Sequence, residues 1–398
     1  MSRSTGRLAR IRHLRVGLVA GLLAFAPLAS ALEVTLSAQY RGGGSGRFEN
    51  TTPPAEFCRV WSGLCASTGT VGLPITYQKT SINRAPDLRD RYFAKLPGRR
   101  EVEVRHQQTG EPRQMTFEVR SISQEAVLGS PYNPLNGSFS EGCRGINSVG
   151  NQSRFRYYTS LVNPQSPTPC VISYSWAPDD HVDTTTVLDT GISFELDIPP
   201  PYRLRAGMYR GSLTYTIGPG GDFDFGNNVT GLSGDTLVIN FELDVQHAFI
   251  FEFPPGSERA VLEPKDGWQA WLGGGQAPGL IYRDLPFRLW STGPFKAYKL
   301  CQHYTAGTCG IRNDASHEVP VTVAITLPGG IEHQGRPVQQ LALPSGQAAA
   351  LAFESAMPTL NRPGQLRFQV ERNDVQAMLR HPGATYAGQV TVVFDAEL

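Results

Sequence analysis

The chain has 398 residues, 40% of them hydrophobic and 18% charged, with 42 glycines and 30 prolines. Such a composition argues against disorder, and such a length exceeds one ordinary core, so two domains are expected. The formal net charge is +1, and it falls to −4 when the leader described next is removed with its five arginines and no acids. This balance argues against nucleic acid as a partner, because neutralising phosphates demands a basic surface.

Residues 1–31 read as a secretory signal. Arg3, Arg7, Arg10, Arg12 and Arg15 precede an apolar run over 16–28, and Ala29-Ser30-Ala31 has the small-x-small form that signal peptidase cuts. The run is shorter than the roughly 20 residues a bilayer requires. The mature protein is expected to begin at Leu32 and to be exported. Its cysteines are Cys58, Cys65, Cys143, Cys170, Cys301 and Cys309. An even number in an exported chain favours bridges, and sequence proximity favours Cys58–Cys65, Cys143–Cys170 and Cys301–Cys309, other connectivities staying open. No CxxC occurs and His303 stands alone beside Cys301, so neither a metal nor another cofactor is expected.

Strand signals follow in chain order: EVEVRH from Glu101, MTFEVRSI from Met115, CVISYSW from Cys170, GISFELDI from Gly191, DTLVINFELDV from Asp235, VPVTVAITL from Val319 and GQLRFQVE from Gly364. Most alternate apolar with polar residues, as a strand does with one face on a core and the other in water. Proline and glycine punctuate the gaps. No amphipathic helix of useful length is expected. The fold class expected is all-β, in antiparallel sandwiches of immunoglobulin-like type.

One pattern occurs twice. MYRGSLTYTI from Met208 and TYAGQVTVVF from Thr385 share Tyr-x-Gly-x-[Leu/Val]-Thr, which sets Tyr209 and Tyr386 at the same place in two copies. After the first copy the chain turns through 218–228 and returns as LVINFELDV, whose Leu237, Ile239, Phe241, Leu243 and Val245 share one face. That hairpin closes a first domain. After the second copy no such strand follows before Leu398. Val390, Val392 and Phe394 are therefore expected to face a core whose neighbouring strand is missing. An apolar, unpaired edge invites aggregation. Either another chain supplies the strand, as in strand donation between subunits, or the start of the second domain loops round to do so.

These residues resemble a known family, the minor tip subunits of alternate chaperone-usher alpha-fimbriae, which include the colonisation-factor tip adhesins and the cable-pilus initiator subunit. The resemblance is carried by GMYRGSLTYTIGPGGDFDFG from Gly207, VLEPKDGWQAWL from Val261 and the ending YAGQVTVVFDAEL. It implies two immunoglobulin-like domains in tandem, an N-terminal adhesin domain over 32–245 and a C-terminal pilin domain over 246–398 that lacks its last strand. The linker is expected near 244–247. The resemblance further implies that Val390, Val392 and Phe394 line the donor-strand acceptor groove. The implied partners are a periplasmic chaperone, an outer-membrane usher, the N-terminal donor strand of the major pilin, and a host-surface receptor, glycan in type, with the fimbrium tip at the cell surface as location. Cys58, Cys65, Cys143 and Cys170 would brace the adhesin domain, and Cys301 with Cys309 the pilin domain. LEVTLSAQY from Leu32 alternates like a donor segment but is read as the first strand of the adhesin domain.

Receptor-binding candidates are residues that pair with carboxylates or stack on sugar faces: Arg154 and Arg156 in SRFRYY with Tyr157 and Tyr158, Arg203 and Arg205 in YRLRAG, and Arg59 with Trp61 between two cysteines. Related adhesins carry two adjacent arginines just after the stretch matching MYRGSLTYTI. Gly218-Pro219-Gly220-Gly221-Asp222 stands there instead, so that receptor site is not carried over. Asp222, Asp224 and Asn227 form a weak calcium pattern, read as a polar hairpin turn because no bidentate glutamate follows. No GxSxG, HExxH or Walker-type run occurs. The expected role is an adhesive assembly initiator and not an enzyme. The rivals are an initiator without adhesion and a secreted carbohydrate-active enzyme.

Overall fold

The computed structural model describes residues 31–42, 45–132, 138–174 and 176–396. The leader expected over 1–31, apart from Ala31, lies outside the described residues. Among the described residues no helix is long and apolar enough to cross a membrane.

The architecture is all-β. The first half of the chain contributes β1 (Leu32–Arg41), β2 (Tyr77–Ile82), β3 (Arg100–His106), β4 (Pro112–Leu128), β5 (Arg154–Leu161), β6 (Val182–Asp197), β7 (Gly207–Thr216) and β8 (Thr236–Gln246) to one sheet, in the order β2-β6-β4-β3-β7-β8-β1. The long β4 meets β6 along one edge and divides the other between β3 and β5. A bulge at Leu188 of β6 and another at Arg120 of β4 bend this strand pair, which lets one sheet curl around a single interior.

β8 shows how alternation becomes packing. Leu237, Ile239, Phe241, Leu243 and Val245 are each at most 1% exposed, while the residues between them stay half-buried. Each such side chain contributes on the order of 1.5–3 kcal/mol by leaving water. β8 is flanked by antiparallel β7 on one side and parallel β1 on the other. LEVTLSAQY is thus the strand beside β8 in its own chain.

After β8 only His247 and Ala248 precede β9 (Phe249–Glu252). Then come β10 (Leu280–Ser291), β11 (Phe295–Cys301), β12 (Thr308–Arg312), β13 (Glu318–Thr326), β14 (Leu351–Ser355), β15 (Thr359–Glu371) and β16 (Val390–Asp395), in two sheets ordered β9-β10-β15-β13-β12 and β14-β11-β16. Buried apolar residues fall into two clusters, one drawn from Leu36 through Val245 and the other from Ile281 through Val375. Where the two halves meet, the Ala248 N–H donates to Thr292 Oγ1 at 2.8 Å and His247 Nε2 bonds the Leu204 carbonyl at 2.7 Å. Burial holds the His247 ring below its ordinary pKa.

The expectation of no useful helix needs one correction. Arg372–Leu379 is helical. Val375 is buried in the second cluster, and Met378 and Leu379 pack against it, which is the i, i+3, i+4 spacing of a docked face. Eight residues are too few to hold a helix alone, so packing makes this one.

Three disulfides are present, Cys58–Cys65, Cys143–Cys170 and Cys301–Cys309, with sequence separations of 7, 27 and 8. Cys143 lies opposite Leu161 of β5 and Cys170 opposite Ala94, so the second bridge ties the large sheet to a small neighbouring one. Loop-closure entropy predicts that Cys143→Ala/Cys170→Ala costs about 3.5 kcal/mol and Cys58→Ala/Cys65→Ala about 2.5 kcal/mol. Denaturant melts of the two variants under non-reducing conditions test that order.

Candidate functional site

The open border of the second half is the first candidate. β16 pairs antiparallel with β11 from Cys301↔Val390 to Lys296↔Asp395, and it is the outermost strand of its sheet. β9 is likewise outermost in its sheet. Among the described residues no strand pairs with the free edge of either. Their side chains nevertheless meet: the Phe394 ring lies 4.2 Å from Phe251 and 6.2 Å from Phe249, centroid to centroid. Val390, Val392 and Phe394 pack against the second cluster but remain half-buried.

The first half supplies the contrast from the same chain. There β3 pairs with β7, β7 with β8 and β8 with β1. Aligning the repeats sets β16 with β7: Arg210 of β7 faces Arg105 of β3, and the aligned Ala387, just before β16, faces Arg312 of β12. The place of β8, between β16 and β9, is the place with two open edges. Sequence reasoning had found β16 but missed Phe249 and Phe251, whose contact with Phe394 nothing in the local pattern reveals.

The shared Tyr-x-Gly has a physical cause in both copies. A Cβ on Gly211 would collide with the Glu103 carbonyl oxygen, and one on Gly388 with the Gly310 carbonyl oxygen, so each glycine admits a neighbouring backbone. The tyrosines differ in partner. The Tyr209 hydroxyl donates to the Arg205 carbonyl at 3.2 Å, an upstream tie within its own strand entry. The Tyr386 hydroxyl bonds His317 Nδ1 at 2.8 Å.

Of the five candidate arginines, the fold brings two together. Arg154 and Arg156 project from one face of β5 onto Glu125 of β4, which pairs with both. Arg156 also binds Asp189 at 2.6 Å, and its side chain is 9% exposed. Arg156 is therefore built into the sheet surface and not presented to solvent. Burial alone would raise the Glu125 pKa, but hydrogen bonds from Arg154 and Arg156 outweigh it and hold the carboxyl below its ordinary value. Arg59 sits on a short turn, 3.1 Å from Glu56. Arg203 is exposed on the turn Pro201–Arg203, and Arg205 is half-buried beyond it. Tyr157 is fully buried and donates to Gln124 Oε1 at 2.7 Å. Tyr158 packs against Phe57 and Trp61.

The acidic turn is occupied by protein cations. Arg89 grips Asp224 through two bonds of 2.7 and 3.0 Å and also reaches Asn227. Asp222 pairs with Arg100. Lys79, buried, donates to the carbonyls of Arg89 at 2.8 Å and Asn227 at 2.5 Å, and burial lowers its pKa to about 8. Among the described residues no group of three or more His, Cys, Asp or Glu is placed to hold a metal ion.

No protein-family model and no curated protein matches the chain. Among solved structures the chain is similar to three tip subunits. One belongs to the chaperone–tip adhesin complex of CFA/I fimbriae biogenesis, at 12% identity and TM-score 0.26, covering 92% of this chain and 97% of that one. Another is a mutant of the CFA/I adhesin CfaE of enterotoxigenic E. coli, at 11% and 0.28, covering 92% of each chain. The third comes from the CsuC–CsuE chaperone–tip subunit pre-assembly complex of the archaic chaperone-usher Csu pili of Acinetobacter baumannii, at 9% and 0.21, covering 92% and 99%. These are the kind of subunit that the sequence resembles. With every TM-score well below 0.5, the likeness by itself decides neither fold nor role.

The Glu125 cluster gives a test of the sheet surface. Arg156→Met leaves Glu125 and Asp189 as partly buried anions and should cost about 3 kcal/mol. Arg154→Ala, at a side chain 62% exposed, should cost less than about 1 kcal/mol. Because the folded pKa of Glu125 is depressed, its contribution is present above the ordinary carboxyl range and is lost as pH falls through the depressed value. Urea melts from about pH 5 down to about pH 2 should show a shallower acid loss in Arg156→Met than in the parent.

Proposed function

We propose that the chain is a fimbrial tip subunit of the chaperone-usher type, which initiates pilus assembly by accepting a donor strand and adheres to a host-surface receptor. On this reading 32–245 is an adhesin domain and 246–398 a pilin domain, both immunoglobulin-like, exported through the periplasm and displayed at the fimbrium tip. The observation that carries it is the pair of open edges on β16 and β9. A donor strand would lie antiparallel to β16, as β8 lies against β7. It would set alternate apolar side chains against Val390, Val392 and Phe394. A periplasmic chaperone would first cover the edge, the usher would receive the subunit, and the N-terminal strand of the major pilin would take the place for good.

The rival reading, an initiator without adhesion, draws on Arg154 and Arg156 being tied to Glu125 and on the absence of the basic pair at 218–222. A carbohydrate-active enzyme draws on no arrangement of side chains described above.

Strand acceptance is tested by joining a major-pilin N-terminal segment to the full chain through a flexible linker. Three donor side chains at roughly 1.5–3 kcal/mol each should raise stability by more than about 4 kcal/mol. A donor with its inward residues changed to aspartate should add nothing. Equal unfolding curves for the chain with the native donor, with the aspartate donor and with no donor would sink strand acceptance.

A further inference from the structure

An open cleft of about 1030 Å³ lies on the first half of the chain, at the upper limit of the sizes usual for ligand sites. Tyr158 and Tyr202 line it, and Arg47, Arg120, Glu195 and Asp197 reach it. None of the five arginines proposed from the sequence is among its lining residues.

Its carboxylates are held in a way that packing does not require. Glu195 and Asp197 are two apart on β6 and so project to one face, with side chains 62% and 74% exposed. Glu195 stands directly across the strand pair from Glu118, and like charges so placed cost stability. Arg120 answers this unevenly. It is paired closely with Glu118, whose side chain is 8% exposed, and lies 3.6 Å from Glu195. Asp197 has Arg99 at 3.4 Å. Both outer carboxylates therefore keep acceptor capacity at the cleft wall. The Tyr158 ring is backed by Phe57 at 5.3 Å and Trp61 at 6.4 Å, which fixes its orientation before any ligand arrives.

Two exposed carboxylates lining one cleft with the Tyr158 and Tyr202 rings describe a site for a polyol with apolar C–H faces. The formal charges of Arg47, Arg120, Glu195 and Asp197 cancel, and the Arg120 guanidinium is already engaged by two carboxylates, so an anionic sugar gains little there. We propose that this cleft binds a neutral oligosaccharide, with Glu195 and Asp197 as hydroxyl acceptors and Tyr158 as the stacking face. The inference rests on the adhesive half of the function proposed above.

The purified full chain, applied to an array of neutral and sialylated mammalian-type oligosaccharides, should bind at least one neutral member. Glu195→Gln/Asp197→Asn should weaken that binding at least about tenfold through loss of charge-assisted hydrogen bonds. Thermal unfolding of this variant should stay level or rise, because repulsion against Glu118 is relieved. Glu101→Gln, on exposed β3 surface, should bind as the parent does. Should the double variant unfold, Asp197→Asn alone carries the same test. Binding that survives the substitutions overturns the cleft and leaves adhesion standing elsewhere on the molecule. Preference for sialylated members overturns the neutral assignment. A chain that binds no member of the array overturns both the cleft and glycan adhesion, while strand acceptance is read separately from the tethered-donor melts.

Discussion

The pairing that β16 does not make governs the rest of the molecule. A strand edge carries a row of N–H and C=O groups, and an edge whose inward side chains are valine and phenylalanine also leaves core half-covered. β7 has the same sequence pattern and no such problem, because β8 bonds its backbone and buries five apolar side chains beside it. β1 then covers β8. The second half repeats β7 as β16 and repeats nothing that could stand as β8 among the described residues. Phe249, Phe251 and Phe394 lean together across the place, which shelters the rings but satisfies no backbone group.

This difference was legible in the sequence because the repeat is anchored by steric necessity. Gly211 and Gly388 each admit a neighbouring carbonyl, so the motif marks a specific point in a sheet and not merely strand propensity. Alternation likewise announced β8, since every second residue from Leu237 to Val245 is apolar. The helix Arg372–Leu379 was hidden for the opposite reason. Its three apolar contacts span little more than one turn, too short for periodicity to separate from chance, and its stability comes from a core assembled elsewhere.

The candidate arginines show a second limit of reading one strand at a time. Alternation rightly sets Arg154 and Arg156 on one face of β5, and a face with arginines reads as solvent. What engages them is Glu125 of β4, with Asp189 of β6 closing over Arg156 alone, supplied by strands distant in sequence whose register no local pattern encodes. The same register places Glu195 across from Glu118 and so creates exposed acceptors that no motif search picks out. Cross-strand partners, not residue types, decide which charged groups are spent within the sheet and which remain for another molecule.

The two halves then divide the physical work in a way that their edges explain. The first half has its terminal strands zipped together, β8 between β7 and β1, and its buried polar groups are fastened by Lys79, Arg89 and Gln124; a closed, cross-linked body of this kind can hold a cleft in fixed shape. The second half keeps a border on which, among the described residues, no strand lies beyond β16. Six residues of β16 zipped against a donor would place alternate side chains into a core already formed by β10, β13 and β15. The interaction is then both backbone-wide and hydrophobic, so partial detachment exposes everything that attachment hid. Dissociation must pass through that exposed state, which makes the join slow to open. On the function proposed above, a protein fixed at one end and pulled at the other would be served by this arrangement: the first half would bear the contact and the second half the load.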